Sequence, residues 1–345
     1  MSKPKVLLNG LGRIGRAILR INLQKDLFDL AAINVINPDN KNIAYLVKYD
    51  STYGKLPNEI TNDGNNLYID GKPIRITHEP EIRNVPLDGI DVVIEATGVQ
   101  KNNEQIEEMA AASSVKRFII TNISCKGARD IIFGVNEELL KERNLKIVSS
   151  SICDCISLAP IYNILQKAYT VESGYLTTLH PWLSYQNLLD GPAKSWANPG
   201  DVYSHYALGR AAPQTLIPKS TSAVRALDHV FPGALEKIHS FSYRTPTPVV
   251  SSAVLTLKLA EDTDVDTLVG LFRNFEREQK IHIIRTTDEP LVSTDYAGDD
   301  YSAIIDTRWI QVNNRNHIEL VYWYDNEWGY SSRVCDAVAG TPADA

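Results

Sequence analysis

The chain has 345 residues, 43% of them apolar and 22% charged, which is enough to bury the cores of two ordinary domains and excludes both a disordered chain and a stapled miniprotein. Its 35 basic and 42 acidic side chains leave a formal charge of −7, so a protein that coats nucleic acid or an anionic membrane is disfavoured against one that handles small molecules. At the N-terminus only Val6 to Leu8 is continuously apolar. Neither a signal peptide nor a membrane span can be drawn there, and the cytoplasm is the expected location.

In chain order, Lys5 to Leu8 reads as a buried strand, and Ile14, Ile18 and Ile21 then fall on one face of a helix. Between them Gly10, Gly12 and Gly15 spell G-x-G-x-x-G. The first glycine permits a tight turn, the second lets backbone amides approach a pyrophosphate, and the third allows close helix-to-strand packing. Gly10, Gly12, Arg13 and Ile14 are therefore candidate cofactor contacts. Leu30 to Ile36 is the next strand. Where a dinucleotide fold places an acidic side chain for the adenosine ribose, this chain has Val35, which leaves both NAD and NADP open. Asp39 either stands in for that acid or, the better reading, caps a helix carrying Ile43, Leu46 and Val47. Strands at Ile90 to Glu95 (closed by Thr97-Gly98), Arg117 to Asn122 and Leu145 to Ser149 complete an α/β, Rossmann-type doubly wound parallel sheet.

Four cysteines, Cys125, Cys153, Cys155 and Cys335, are too few for a disulfide framework, and no Cys/His group has zinc-ligand spacing, so no metal is expected. Cys153 follows a Ser-rich turn and precedes the apolar helical stretch Ile156 to Leu165, where the helix dipole should lower its thiol pKa. On residues alone, Cys155 competes for the nucleophile's role and a buried structural thiol is an equal alternative. A Cys153/Cys155 redox pair is the weakest reading, because one intervening residue strains a disulfide. Beyond residue 170, Tyr175 to Leu179, Ser240 to Tyr243, Val249 to Leu259, Ala303 to Asp306 and His317 to Tyr322 read as strands without alternating helices, hence a mostly antiparallel sheet in an α+β second domain. His180 ends the first of these beside a Pro-Trp that should stop the strand and expose the imidazole. Asp190 to Leu208 is too long for an ordinary connection, and Glu327 to Val338 reads as a last helix ended by Gly340-Thr-Pro.

The stretches NGLGRIGR, AIN, KYDSTYGKL, EATGV, TTLH, LLDGP, GRAA, LIPKST, YRTPTPVV and WYDNEWGYS occur in this order, with Ser149-x-x-x-Cys153 followed by Leu158-Ala159-Pro160. In this the chain resembles a divergent member of the phosphorylating glyceraldehyde-3-phosphate dehydrogenase family over nearly its whole length. The resemblance implies a dinucleotide-binding domain at 1–152, a catalytic domain at 153–322 and a C-terminal helix at 323–345 that returns to the first domain, assembled as a homotetramer. It implies Cys153 as nucleophile and His180 as base of a thioester mechanism with hydride transfer to NAD or NADP. It also places Asn34, Thr97, Gly98, Thr121, Asn326 and Tyr330 near the cofactor, and Thr221, Arg244 and Lys219 near a substrate anion. Cys155 then falls where the family commonly has threonine.

The family's two phosphate sites are altered here. Ile152 and Asp154 stand where hydroxyl residues flank the nucleophile, Leu183 and Tyr185 replace two threonines after the histidine, and Leu208 stands near the expected second arginine. A carboxylate at Asp154 opposes a phosphate dianion, unless Asp154 is an exposed helix cap. The expected activity is oxidation of a small anionic aldehyde with an altered substrate or acyl acceptor. The alternatives are ordinary glyceraldehyde-3-phosphate dehydrogenase and a low-turnover binding or regulatory relative. No nucleic-acid or membrane partner is expected.

Overall fold

The computed structural model describes residues 3–123 and 126–342, so Cys125 lies outside the described residues. The chain opens with β1 (Lys5–Asn9), α1 (Arg13–Lys25), β2 (Asp29–Asn34) and α2 (Asn40–Lys48). The Asp39 side chain accepts from the Lys41 and Asn42 amides at 2.9 and 3.2 Å, which makes it the cap of α2, as its position suggests. β2 stops at Asn34, short of Ile36, which is exposed. A small hairpin, β3 (Tyr49–Asp50) with β4 (Gly54–Lys55), leads to a meander of β5 (Ile60–Asn62), β6 (Asn66–Ile69) and β7 (Lys72–Thr77). These short polar strands carry no apolar run that the sequence could reveal. β8 (Val92–Glu95), α3 (Gln100–Met109), β9 (Arg117–Ile120), β10 (Arg129–Asp130) and β11 (Ile147–Ser149) complete the first sheet.

That sheet runs β10-β11-β9-β8-β1-β2-β7-β6-β5, parallel except for the antiparallel β5–β6–β7 edge. The chain leaves β1 toward β2 on one side and later builds outward from β8 on the other. The loops after β1 and β8 therefore diverge and open a crevice at their carboxyl ends, the place where such sheets bind ligands.

α4 (Cys153–Ala168) leaves the end of β11 and is apolar on nearly every side, so it is buried throughout most of its length. It packs against a second sheet and its helices: β12 (Val171–Pro181), β13 (Ile217–Lys219), α5 (Ala223–Asp228), α6 (Ala234–Lys237), β14 (Ile238–Thr245), β15 (Ser251–Leu259), α7 (Val265–Glu278), β16 (Ile284–Thr287), β17 (Ala303–Asn313) and β18 (His317–Tyr324). The order is β13-β14-β12-β15-β18-β17-β16. The sheet is mostly antiparallel, with β12–β14 and β16–β17 parallel, and α7 interrupts the run of strands that the sequence suggested. α8 (Trp328–Ala339) then returns to pack on α1. Arg13 locks this return: its guanidinium pairs with Glu327 at 2.5 Å and with Asp50 at 2.7 Å and lies over the Tyr53 ring. No helix among the described residues is long and apolar enough to cross a membrane.

Candidate active site

The end of β11 turns sharply into α4. Ser151 sits in the left-handed region at φ 55°, a conformation that costs a non-glycine residue about 1 kcal/mol or more. Three hydrogen bonds hold it there: the Ser150 amide to the Ile120 carbonyl at 2.9 Å, the Ser151 amide to Ser149 Oγ at 2.9 Å, and the Tyr330 hydroxyl to the Ser151 carbonyl at 3.1 Å. Tyr330 thus supports the turn that presents Cys153 as the first residue of α4.

Cys153 Sγ lies 3.5 Å from His180 Nε2. His180 Nδ1 faces the Pro181 carbonyl at 2.8 Å. A carbonyl only accepts, so Nδ1 carries the hydrogen and Nε2 presents its lone pair to the thiol. His180 is 4% exposed rather than solvent-facing, because β12 continues to Pro181 and is flanked by β14 on one side and β15 on the other. Burial, followed by the Arg244 cation, lowers its pKa against the pull of Asp154. At Cys153 the helix dipole is outweighed: burial, then the adjacent Asp154 carboxylate, raise the thiol well above its ordinary value, and Arg244 only partly opposes them. At rest the pair is a neutral thiol beside a neutral imidazole.

Asp154 is buried, not an exposed cap. Its Oδ1 accepts from the Tyr324 hydroxyl at 2.8 Å and lies 3.6 Å from Cys153 Sγ and 3.9 Å from His180 Nε2, while Oδ2 accepts from Thr221 Oγ1 at 2.9 Å. Although desolvation opposes ionisation, the His180, Tyr324, Thr221 and Arg244 interactions win and hold the carboxyl below its ordinary range. Arg244 stands beside His180 in the β12–β14 register. Its Nη2 donates to the Tyr185 hydroxyl at 3.3 Å, and its buried Nε meets no partner among the described residues. Lys219 completes the positive side, its pKa drawn down to about 8 by burial and then by Arg244. Leu208 is buried in a small apolar cluster with Ala193 and Ile217, against which Tyr185 and Tyr203 pack, and supplies no second cation. The thiol, Nε2 and Oδ1 lie within 4.8 Å of one another, a spacing that a metal ion could also bridge.

The crevice between β1 and β8 fits a dinucleotide. Gly10 has φ 99°, and a Cβ there would lie 2.7 Å from the Ala96 carbonyl carbon, so only glycine can make the turn. Gly12 caps an α1 whose first turn holds no acidic residue, leaving the positive end of the helix uncompensated for an anion. The buried Asn326 side-chain oxygen has no partner among the described residues, as suits a group that receives an amide, while Asp325 caps α8 by accepting from the Glu327 and Trp328 amides at 2.9 and 2.8 Å. Other expected contacts are already engaged. Asn34 exchanges hydrogen bonds with Asn9, Thr77 and Glu79, Thr121 Oγ1 donates to the Glu95 carbonyl at 2.9 Å, Arg13 is committed to its carboxylates, and Ile14 packs into the core.

Two contributors escaped the sequence reading. Tyr324, in WYDNEWGYS, holds Asp154; its inward direction follows from the alternation of buried residues along β18. Trp196, in the long 190–208 segment, donates its indole N–H to the Thr97 carbonyl and lies over Gly98, where an added Cβ would be 2.7 Å from Nε1; its ring also reaches within 3.9 Å of a Cβ position at Gly12. The neighbouring Ala197 carbonyl accepts from the Gln100 amide at 3.0 Å. The indole therefore spans the edge on which a pyrophosphate would rest. Trp196→Ala is expected to tighten NAD binding about fivefold, roughly 1 kcal/mol, and to remove most of the change in intrinsic fluorescence on titration. Weaker binding in the variant would show that the indole supports the cofactor instead of standing in its path.

Residues 4–103 match the family model described as glyceraldehyde 3-phosphate dehydrogenase, NAD binding domain, and residues 152–326 the one described as glyceraldehyde 3-phosphate dehydrogenase, C-terminal domain. Glyceraldehyde-3-phosphate dehydrogenase 1 of Kluyveromyces lactis is 36% identical over 338 residues, covering 97% of this chain and 98% of that protein. Its namesake from Schizosaccharomyces pombe is 36% identical over 347 residues, with 99% of each covered, and the cytosolic glyceraldehyde-3-phosphate dehydrogenase of Gracilaria gracilis is 33% identical over 342 residues, with 98% of each covered.

Proposed function

The chain belongs to the glyceraldehyde-3-phosphate dehydrogenase family, an NAD-dependent oxidoreductase family, and from that premise we propose that it oxidises a small anionic aldehyde through a thioester on Cys153. The observation that carries the reading is the 3.5 Å pairing of Cys153 Sγ with a His180 Nε2 whose lone pair is fixed by its other nitrogen. His180 takes the thiol proton as sulfur adds to the carbonyl carbon, hands it to the adduct's oxygen, and takes it back as hydride leaves and the thioester forms. NAD, held by the Gly10–Gly12 turn, the start of α1 and Asn326, supplies the hydride acceptor. Arg244 and Lys219 attract the anionic end of the aldehyde.

Asp154 sets the departure from the ordinary family reaction. At an effective dielectric of about 20, a phosphate oxygen about 4 Å from this carboxylate is opposed by about 4 kcal/mol per unit charge, a cost that the nearby cations must offset. The relatives' names favour ordinary glyceraldehyde-3-phosphate oxidation, so that compound belongs in the decisive experiment: a panel of phosphorylated, sulfonated and carboxylated aldehydes, each with NAD and with NADP, with and without inorganic phosphate. Selective turnover of one anionic aldehyde supports the reading; family-like rates on glyceraldehyde-3-phosphate that require phosphate overturn the altered specificity.

Lys219 gives a pH signature. It is charged below about pH 8 and neutral above. The KM for the anionic aldehyde is therefore expected to rise several-fold as pH climbs through that value while kcat changes little, and Lys219→Met should raise KM and flatten the step. Steady-state kinetics from pH 6 to 9 measure both.

A further inference from the structure

We infer that the acyl group on Cys153 is passed to water, so that the product is a free carboxylate and not an acyl phosphate. This rests on the thioester reading above and names its acceptor. The site beside the thiol already holds an anion of its own: the Asp154 carboxylate, buried and fixed at both oxygens by the Tyr324 and Thr221 hydroxyls. Thr221 Oγ1 spends its hydrogen on Asp154, and so does Tyr324, which leaves an incoming phosphate two fewer donors as well as a like charge at the same place. Leu208 and Leu183 add no compensating charge, and Arg244 and Lys219 are the cations that the substrate's own anion needs.

A neutral acceptor meets the opposite situation. Two lone-pair acceptors, His180 Nε2 and Asp154 Oδ1, lie 3.5 and 3.6 Å from Sγ, and 3.9 Å from each other, so a water that donates one hydrogen to each is held next to the carbon bonded to sulfur. Once the imidazolium left by thioester formation has released its proton to solvent, Nε2 takes a proton from this water as its oxygen bonds to the acyl carbon. The carbon–sulfur bond then breaks, sulfur regains a proton from His180, and the carboxylic acid ionises. The sum is aldehyde, NAD and water giving carboxylate, NADH and two protons; the aldehyde carbon is oxidised and NAD, the family's cofactor, is reduced.

The test separates this step from the chemistry before it. Full-length protein is acylated at Cys153 with p-nitrophenyl acetate, without NAD, and loss of the acetyl group is followed by intact-mass spectrometry with and without saturating inorganic phosphate, in water labelled with heavy oxygen. Expected are a deacylation rate that phosphate leaves unchanged and heavy oxygen in the released acetate; acetyl phosphate, or acceleration by phosphate, overturns the inference while leaving the thioester reading intact. Failure of Cys153 to acylate, together with no turnover of any aldehyde in the panel, overturns the thioester reading itself. Asp154→Asn keeps the shape and removes the charge: phosphate is expected to speed its deacylation at least about tenfold, and no response to phosphate in this variant shows that Asp154 is not what excludes it.

Discussion

Cys153→Ser is expected to lose aldehyde-dependent NAD reduction by at least about four orders of magnitude while binding NAD within about twofold of the wild type. A serine hydroxyl is smaller and far less acidic than a thiol, and the neutral Nε2 that would deprotonate it has its basicity lowered by burial and by Arg244. Initial rates and calorimetric NAD titration make the comparison. Residual turnover near the wild-type rate would remove the sulfur from the chemistry. The same burial predicts a second trait: in the free enzyme Cys153 is protonated at neutral pH, so its alkylation by iodoacetamide should be slow and should quicken as pH rises. Cys155 and Cys335, both fully buried with raised thiol pKa, should react more slowly still.

His180→Asn is expected to lower kcat/KM by about 10²- to 10⁴-fold, the usual worth of a positioned base. The pH profile carries the sign. Burial depresses the imidazole pKa, so the base remains unprotonated well into acid, and the acid limb of kcat/KM should lie below the ordinary imidazole value near 6.5. In the variant that limb should vanish, which a merely structural role would not produce. Because thiol and imidazole share one proton, the double variant should be barely worse than Cys153→Ser alone.

The sequence made Cys153 a candidate through a Ser-rich turn before an apolar helix, with the family resemblance separating it from Cys155, and showed the cofactor crevice through glycines between a strand and a helix. In both cases local chemistry is written in neighbouring residues. What it hid depends on distance. Asp154 could be weighed only as a charge next to a thiol, since its partners Thr221 and Tyr324 come from strand and loop ends far along the chain. His180 was expected to be exposed because a following Pro-Trp looked like a strand end, yet the burial comes from two neighbouring strands that no local pattern announces. Strands β5 to β7 were missed for the opposite reason: at a sheet edge with mixed exposure, few side chains need be apolar.

The clasp between Arg13, Asp50 and Glu327 has a bearing on synthesis. α1 leaves the ribosome well before the helix that covers it, because the strands of the second sheet are translated between them. Until α8 emerges, the face of α1 that it covers stays open to water, and Arg13, already able to reach Asp50, lacks Glu327. A chain that stops short of α8 is therefore expected to bind folding assistants more strongly than one that includes it.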